Sequence, residues 1–472
     1  MSNLPYNDAD LGSVLSYAKK LVGKSINDLL ENPKKNITIK NKGIIGNIIE
    51  EKYFKIKQNS SPEPDFEKIG VELKVIPLIK QKKRLGVKER TKVCSIDYKT
   101  LIDEVWDSSH AKKKLQKILF IYYLYDKSDI SKSVVKKVEL WELEKDSSSL
   151  IIQDDWENTK KKVLDGLAHK LSEKNFKILS PARSGSGGVN KDGIQKDLVL
   201  QPNQQYEKKA LKRAFTLKQS FTNQLWNELN AVQYESILQH LKITSMKEFE
   251  DKILKALRKL RGKSIAEISE LFNIEIPKGK NQVATIIKKA IGFKSVNSKI
   301  KEFEQLGILV KTIKVRRSDN MPLEAVSFST MKLQEFEKEI YENSTFKEYI
   351  QKILFIPIYH ESSSLEKKYF GNPFFWEPDF LEEQKIKIEW ERYQNEVLSG
   401  ACKVKQVKNN SKKGFREISN LSKESNTEII HMRPHGRDSS DRDKDSLGNS
   451  IVKQCFWLNK KFLQKLIEEN QR

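Results

Sequence analysis

The stretch EPDFEKIGVELKVIP, residues 63–77, decides the fold of the first half of this chain and sets its chemistry. It places Asp65, Glu72 and Lys74 in the order D-x6-E-x-K. Val71, Leu73 and Val75 alternate with Glu72 and Lys74, the period of a half-buried strand. Glu72 and Lys74 therefore project from one face, side by side. Asp65 arrives from the preceding turn, because residues 60–64 (SSPEP) break regular structure. Two carboxylates and an ammonium then converge on one point. Carboxylates suit the hard, oxygen-seeking Mg2+ ion, with Asp65 and Glu72 as its ligands, and a lysine beside them can orient or activate a water. An acid-x-Lys pair also arises by chance on any charged strand, where it is only a solvated salt bridge. The rest of the sequence has to decide between the two.

The chain has 472 residues, enough for two or three domains with sizeable cores. Its formal charge is +23, which points to a polyanion partner, nucleic acid first. No uninterrupted apolar run approaches the roughly 20 residues of a membrane-spanning helix. The opening MSNLPYNDADLG has no basic-then-apolar signal pattern. Cys94, Cys402 and Cys455 form no CxxC pair, so neither a disulfide scaffold nor a zinc ribbon is supported. These features give the expectation of a cytoplasmic protein without a membrane partner.

The decisive feature is internal repetition. LVGKSINDLLE at 21–31 returns as LRGKSIAEISE at 260–270. KGIIGNIIEE at 42–51 aligns with KNQVATIIKK at 280–289, and FEKIGVELKVI at 66–76 with FEQLGILVKTI at 303–313. LQKILFIYYLY at 115–125 returns as IQKILFIPIYH at 350–360, and KRAFTLKQSF at 212–221 as KQCFWLNKKF at 453–462. Five blocks in one order, at an offset of about 240 residues, mean two copies of one domain. The expected division is a first domain over 1–226, a helical linker over 227–245 and a second domain over 246–472. Each copy passes from helical pattern through alternating strands to a short strand and an amphipathic helix, which predicts a mixed α/β (α+β) domain. A helix is expected over 42–54, with Ile44, Ile45, Ile48 and Ile49 on one stripe and Glu50 pointing away from it. Ser184–Gly193 and Arg437–Ser450 read as surface loops.

The second copy acts as an internal control. Asp65 aligns with Glu302, Glu72 with Leu309, Lys74 with Lys311, Glu50 with Lys288 and Lys114 with Tyr349. A leucine cannot ligate Mg2+ and a lysine repels it. The acids of the first copy are therefore not demanded by the fold.

At these residues the chain resembles the MutH-like endonucleases. The matching features are KGIIGNIIE (Lys42, Glu50), PDFEKIGVELKVIP (Asp65, Glu72, Lys74) and KERTKVCSI (Glu89). WDSSHAKKKLQKILFI (Trp106, His110, Lys114) and RAFTLKQSF (Phe215, Lys218) complete the set, which covers most of residues 10–226. The two-copy form with a degenerate second half is similar to the GATC-cutting type II restriction endonucleases of this class. The second half carries HMRPHGR (Arg433, Pro434, His435), resembling the family's Arg-Pro recognition loop. The first copy reads ILSPARSG there, with Pro181 kept and Arg183 two places later.

The resemblance implies two tandem restriction-endonuclease-like domains and Mg2+-dependent hydrolysis of double-stranded DNA at GATC. The cut would fall before the G and leave 5′-phosphate and 3′-hydroxyl ends. It implies a catalytic set of Asp65, Glu72, Lys74, Glu50 and Lys114, with Lys114 touching a phosphate oxygen near the cut. Of the basic run 112–114, Lys112 and Lys113 read equally well as a solvated helix face. DNA contacts fall to Lys42, Glu89, Arg183, Lys218, Arg433 and His435. The second copy would bind DNA and regulate or support pairing of two molecules, monomers in solution that meet on DNA. A cognate DNA methyltransferase is expected in the same system. The competing expectations are a methyl-directed GATC nickase of mismatch repair and, in another class, a non-catalytic DNA-binding regulator.

Overall fold

A computed structural model of the chain describes residues 4–30, 43–56, 62–80, 84–173, 176–185, 196–202, 209–243, 245–275, 281–293, 295, 297–361, 367–408 and 415–471. Lys42 and most of the 184–193 segment lie outside the described residues. The chain groups into two compact units, Met1–Met246 and Lys247–Arg472, with Glu304–Leu306 grouped with the first. Helix Gln219–Leu229 runs through position 226, and the short helix Ile237–His240 follows it. Both units are mixed α/β, and the fold is a tandem repeat. Among the described residues, no helix is long and apolar enough to cross a membrane.

The first unit is built on strand Lys117–Leu124, whose sequence KILFIYYL is a continuous apolar run. Ile118, Leu119, Phe120, Ile121 and Tyr122 are all fully buried, as expected for a strand covered on both faces. Strand Glu72–Lys80 pairs parallel with it, Glu72 opposite Ile118 and Lys74 opposite Phe120. Leu85–Val87 and Val134–Glu142 complete a four-stranded sheet. Parallel neighbours need a long crossover. Here the crossover carries strand Thr91–Ile96 and helix His110–Leu115. Thr91–Ile96 joins Arg213–Leu217 and Leu179–Arg183 in a second, antiparallel sheet. The crossover thus ties the two sheets together and returns a helix over the start of Glu72–Lys80.

The second unit repeats this plan with a matching register. Ile308–Arg316 pairs parallel with Lys352–His360, Leu309 opposite Ile353 and Lys311 opposite Phe355. Ile118 and Phe120 hold the places in QKILFI that Ile353 and Phe355 hold in the second copy. Strand pairing therefore puts Leu309 where Glu72 stands and Lys311 where Lys74 stands. Val326–Ser327, Gln454–Leu458 and Ile430–Pro434 form the counterpart of the antiparallel sheet. One edge differs: Lys368–Phe370 and Phe374–Trp376 both pair with Lys352–His360, where the first unit has Val134–Glu142 alone.

Four expectations are corrected. The helix expected over 42–54 is α-helical only over Ile44–Ile48 and widens to a π-turn over Ile49–Tyr53. Of its isoleucine stripe, Ile45 and Ile49 are buried while Ile44 and Ile48 are half-buried. The polar face of Glu72–Lys80 is not a solvated face, because Glu72 is only 3% exposed. The 437–450 segment is more than a loop: Arg442–Lys444 pairs with Ser450–Val452 as a short hairpin. Finally, Pro181 is not the counterpart of Pro434. Pro181 lies opposite Phe215, and the matching Phe456 lies opposite Met432. Register therefore aligns Ala182 with Arg433 and Arg183 with Pro434.

One turn sets the spacing of the acids. The 3-10 turn Glu67–Ile69 ends at Gly70, with φ +65°, and the chain doubles back so that Phe66 bridges Val71. Gly307 has the same φ, +65°, at the same place in the second unit. Only glycine adopts this left-handed conformation without steric cost. Replacing Gly70 with Ala adds a Cβ with open space around it, so the penalty is backbone strain alone. The Gly70→Ala variant is expected to lose about 1 kcal/mol or more of stability, measured by urea unfolding against wild type.

Candidate active site

The doubled-back turn delivers Asp65 to the beginning of the strand. The Leu73 amide donates to Asp65 Oδ2 at 2.8 Å, and the Asp65 amide donates to Glu72 Oε2 at 3.3 Å. The Glu72 carboxylate is thus latched to the Asp65 backbone, and the Asp65 carboxylate to the amide that follows Glu72. Lys74, two residues along the same face, puts Nζ 2.6 Å from Glu72 Oε1.

A second lysine comes from the helix above. Ser109 caps helix His110–Leu115: its hydroxyl accepts from the Lys112 amide at 3.1 Å and donates to the Trp106 carbonyl at 2.8 Å. Trp106 is buried against Trp156. This anchorage turns Lys114 inward, where it is 7% exposed. Its Nζ lies 2.9 Å from Glu72 Oε2 and 2.5 Å from the Glu63 carbonyl oxygen. Glu72 is therefore closed between two ammonium groups. Lys112 and Lys113 stay on the outer face, paired with Asp107 at 2.7 Å and Glu63 at 2.8 Å. The split within this basic run is clear: two lysines pair at the surface and the third enters the site.

The π-turn supplies the third acid. Such widened turns occur frequently at functional sites. Here it carries Glu50, half-buried, toward Asp65, Lys74 and Glu72. The equivalent helix of the second unit, Gln282–Ile291, is regular α and carries Lys288. Burial raises the Glu50 pKa, and the charges of Asp65 and Glu72 push it further the same way against the pull of Lys74. Burial likewise raises the Asp65 pKa, aided by the Glu72 charge and opposed by the Leu73 amide and the two lysines. Desolvation and the neighbouring negative charges thus disfavour ionisation of Glu50 and Asp65. His110, beside them, has its pKa lowered by burial and by the Lys114 charge. Its Nε2 is buried with no hydrogen-bond partner among the described residues.

A cation would relieve this crowding, and the donor chemistry suits a hard one. Among the described residues, no three His, Cys, Asp or Glu side chains converge closely enough to cage a metal ion. Mg2+ is held by one or two carboxylates together with waters and substrate phosphate oxygens. Asp65 and Glu72 would provide those carboxylates.

The same place in the second unit is apolar. Leu309 and Tyr349 pack against its core, and Tyr349 lies parallel to Phe328 with ring centroids 6.2 Å apart. Lys311 points its Nζ at the Ser327 carbonyl, 2.6 Å away, and over the Phe328 ring. Glu302 is fully buried.

The residues expected to touch DNA lie elsewhere. Arg183 is exposed at the end of strand Leu179–Arg183, and Lys218 is half-buried at the start of helix Gln219–Leu229. Glu89 is exposed just before Thr91–Ile96. In the second unit Arg433 and His435 are exposed, and both pack on Trp457. The Arg433 guanidinium lies 4.5 Å from the ring centroid, and the His435 ring stands edge-on at 5.0 Å. Arg213, next to this machinery, is spoken for by the Pro181 and Leu171 carbonyls. The structure thus gathers Glu50, Asp65, Glu72, Lys74 and Lys114 into one cluster and leaves the candidate readers on the other sheet and in the second unit.

The family model for the DNA mismatch repair enzyme MutH matches residues 54–155 and again residues 291–389. Each half of the chain thus carries one match to the same family model. The first match takes in Asp65, Glu72, Lys74 and Lys114, and the second takes in Leu309 and Lys311. The chain is 27% identical to the type II restriction enzyme Sau3AI of Staphylococcus aureus, over 97% of this chain and 98% of that one. It is 25% identical to the DNA mismatch repair protein MutH of Actinobacillus pleuropneumoniae serotype 5b, over 48% of this chain and 97% of that one. The MutH of Pasteurella multocida is 24% identical over 47% of this chain and 95% of its own length. The alignment with the restriction enzyme thus runs over nearly the whole of both chains, whereas each repair protein aligns with about half of this one.

The raised pKa of Asp65 has a consequence for stability. An acid whose folded-state pKa lies above its ordinary value stabilises the fold only while protonated, and that contribution disappears as pH rises through the raised value. Asp65→Asn is therefore expected to melt no lower than wild type at pH 7, in a thermal scan without added metal. Glu72→Ala should behave in the opposite way, because it strands the Lys114 ammonium in a buried position. A loss of about 3–5 kcal/mol is expected for such a broken buried pair, and Glu72→Gln should lose less.

Proposed function

We propose that this chain is a type II restriction endonuclease that hydrolyses double-stranded DNA at GATC, with Mg2+, in its first half. The observation that carries the proposal is the asymmetry of the repeat. The first unit gathers three carboxylates and two lysines at one spot, while the register-matched spot of the second unit holds Leu309, Phe328 and Tyr349. The near-full-length match to a restriction enzyme, against matches to repair proteins that cover about half of this chain, favours that class over a repair nickase.

In this reading the chain's own groups do the following. Asp65 and Glu72, latched by the Leu73 and Asp65 amides, hold their carboxylate oxygens fixed toward the scissile phosphate. A bound divalent ion there would supply Lewis-acid charge and lower the pKa of a coordinated water. Lys74 exchanges its contact with Glu72 for the attacking water or the phosphate oxygens, and its positive charge offsets the negative charge that grows there. Lys114, pinned between Glu72 and the Glu63 carbonyl, holds the Glu72 carboxylate in place. Glu50 adds a third carboxylate that can take up or return a proton. Water oxygen bonds to phosphorus as the bond to the 3′ oxygen breaks. The proton from water ends on that oxygen or on solvent, leaving a 5′-phosphate and a 3′-hydroxyl. Arg183 and Lys218 in the first unit and Arg433 in the second are the candidate readers of guanine in the major groove. The second unit binds DNA without cutting and supports the pairing of two molecules, since one site serves one strand at a time.

Digestion of plasmid DNA with and without GATC methylation, in Mg2+, followed by mapping of the ends, tests the proposal. Cleavage confined to GATC on both strands supports it. Nicking of only the unmethylated strand at hemimethylated sites would favour the repair nickase, and binding without cleavage would favour a regulator. Affinity for the duplex should fall steeply with salt, as phosphate contacts release counterions. On acidification at limiting Mg2+, cleavage should fall away at a higher pH than exposed carboxylates would give, because Asp65 and Glu50 of the metal-free chain both hold their protons more tightly than usual. A pH–rate profile at fixed ionic strength reads this directly.

A further inference from the structure

Each unit contains the same buried device, which the matching blocks of sequence do not reveal. In the long helix Ser149–Leu164, Asp155 is 2% exposed. Its carboxylate accepts from three consecutive amides: Lys177 at 2.9 Å, Ile178 at 2.7 Å and Leu179 at 2.8 Å. In helix Phe380–Leu398 of the second unit, Glu389 is 5% exposed and accepts from the amides of Glu428, Ile429 and Ile430. Each acid is followed by a fully buried tryptophan, Trp156 or Trp390.

The strand that each acid grips leads straight to candidate DNA contacts. Leu179–Arg183 ends on exposed Arg183, and Ile430–Pro434 ends on exposed Arg433 and Pro434. The middle residue of each gripped trio also holds Lys218 or the residue at its place in the second unit, Asn459. The Ile178 carbonyl accepts from the Lys218 amide at 2.9 Å, and the Ile429 carbonyl accepts from the Asn459 amide at 2.8 Å. Beyond each strand comes a glycine with no room for a side chain. A Cβ on Gly185 would lie 2.5 Å from the Asp197 carboxyl, and one on Gly436 would lie 2.8 Å from the Asp441 carbonyl. Acid, strand, exposed tip and tight glycine are kept in both units, while the catalytic acids are kept in one.

We infer that Asp155 is a positioning residue for sequence reading: its carboxylate, by gripping the amides of residues 177–179, sets where Arg183 and Lys218 meet the DNA. Glu389 does the same for Arg433 in the second unit. The inference rests on the endonuclease reading, and in particular on Arg183 and Lys218 touching DNA. Asp155 itself touches neither DNA nor the reacting phosphate. A buried carboxylate satisfies three amides at once, which an Asn side chain with one carbonyl oxygen cannot do. Losing it frees the strand to shift, and a shift at the strand tip weakens contacts to cognate bases more than contacts to phosphate.

The test uses the full chain as wild type, Asp155→Asn and Asp155→Glu. Affinity for a GATC duplex and for a scrambled duplex of equal length is measured in Ca2+, with melting temperature, and KM and kcat are measured in Mg2+. The cognate-to-scrambled ratio should fall on the order of tenfold in Asp155→Asn and by less in Asp155→Glu, which keeps the charge on a longer arm. The loss should appear mainly in KM. If Asp155→Asn does not fold, the decision passes to Asp155→Glu, whose ratio should still fall with its melting temperature nearly unchanged. Equal losses on both duplexes, or an unchanged ratio in a folded variant, would overturn the inference. A wild-type chain that does not distinguish the duplexes would instead overturn the endonuclease reading.

Discussion

The arrangement depends on one buried carboxylate, Glu72, held between the ammonium groups of Lys74 and Lys114. Burying a charge is costly unless it is paired and hydrogen-bonded. Here the pairing draws on three separate pieces of chain: the doubled-back turn that carries Asp65, the strand that carries Glu72 and Lys74, and the crossover helix that carries Lys114. All three reach that one carboxylate: the Asp65 amide, the Lys74 ammonium and the Lys114 ammonium. The Asp65 charge disfavours ionisation of Glu50, a repulsion that a bound cation would offset.

The repeat separates what the fold needs from what the chemistry needs. Both units keep the parallel strand pair in one register, the glycine turn at φ +65° and the acid that grips three amides. Only the first keeps Glu72, Glu50 and Lys114. At the matching place in the second unit, Leu309 and Tyr349 pack as ordinary core residues, and Lys311 finds a carbonyl and an aromatic face. Leu309 and Tyr349 replace a buried carboxylate and a buried ammonium with apolar groups, while Glu302 and Lys311 keep their places. That is a physical route by which a domain persists after its acids have gone.

Much of this was legible in the sequence. D-x6-E-x-K gave the strand and the same-face placement of Glu72 and Lys74, and the repeat exposed the second copy as degenerate. What stayed hidden depends on distance along the chain or on backbone form. The resemblance singles out Lys114, yet its contact with Glu72 spans 42 residues and leaves no mark in the basic run around it. The π-turn that aims Glu50 leaves the isoleucine pattern nearly intact. The gripping acids are Asp in one unit and Glu in the other, and they stand 24 and 41 residues before the last amide they hold. No aligned block survives such a difference in loop length. Proline identity misled for a related reason: Pro181 and Pro434 look equivalent, yet cross-strand pairing sets them two positions apart.

The central claim is that hydrolysis belongs to the first unit alone, and matched lysines test it most directly. Lys74→Ala and Lys311→Ala change the same register position in the two units, and neither leaves a buried ammonium behind. The measurement is the initial rate of nicking of supercoiled GATC plasmid in saturating Mg2+. The account expects Lys74→Ala to lose about 100-fold or more, the scale for removing one group that stabilises transition-state charge, and Lys311→Ala to stay within a few-fold of wild type. Equal losses in the two variants, or near-wild-type nicking by Lys74→Ala, would contradict it.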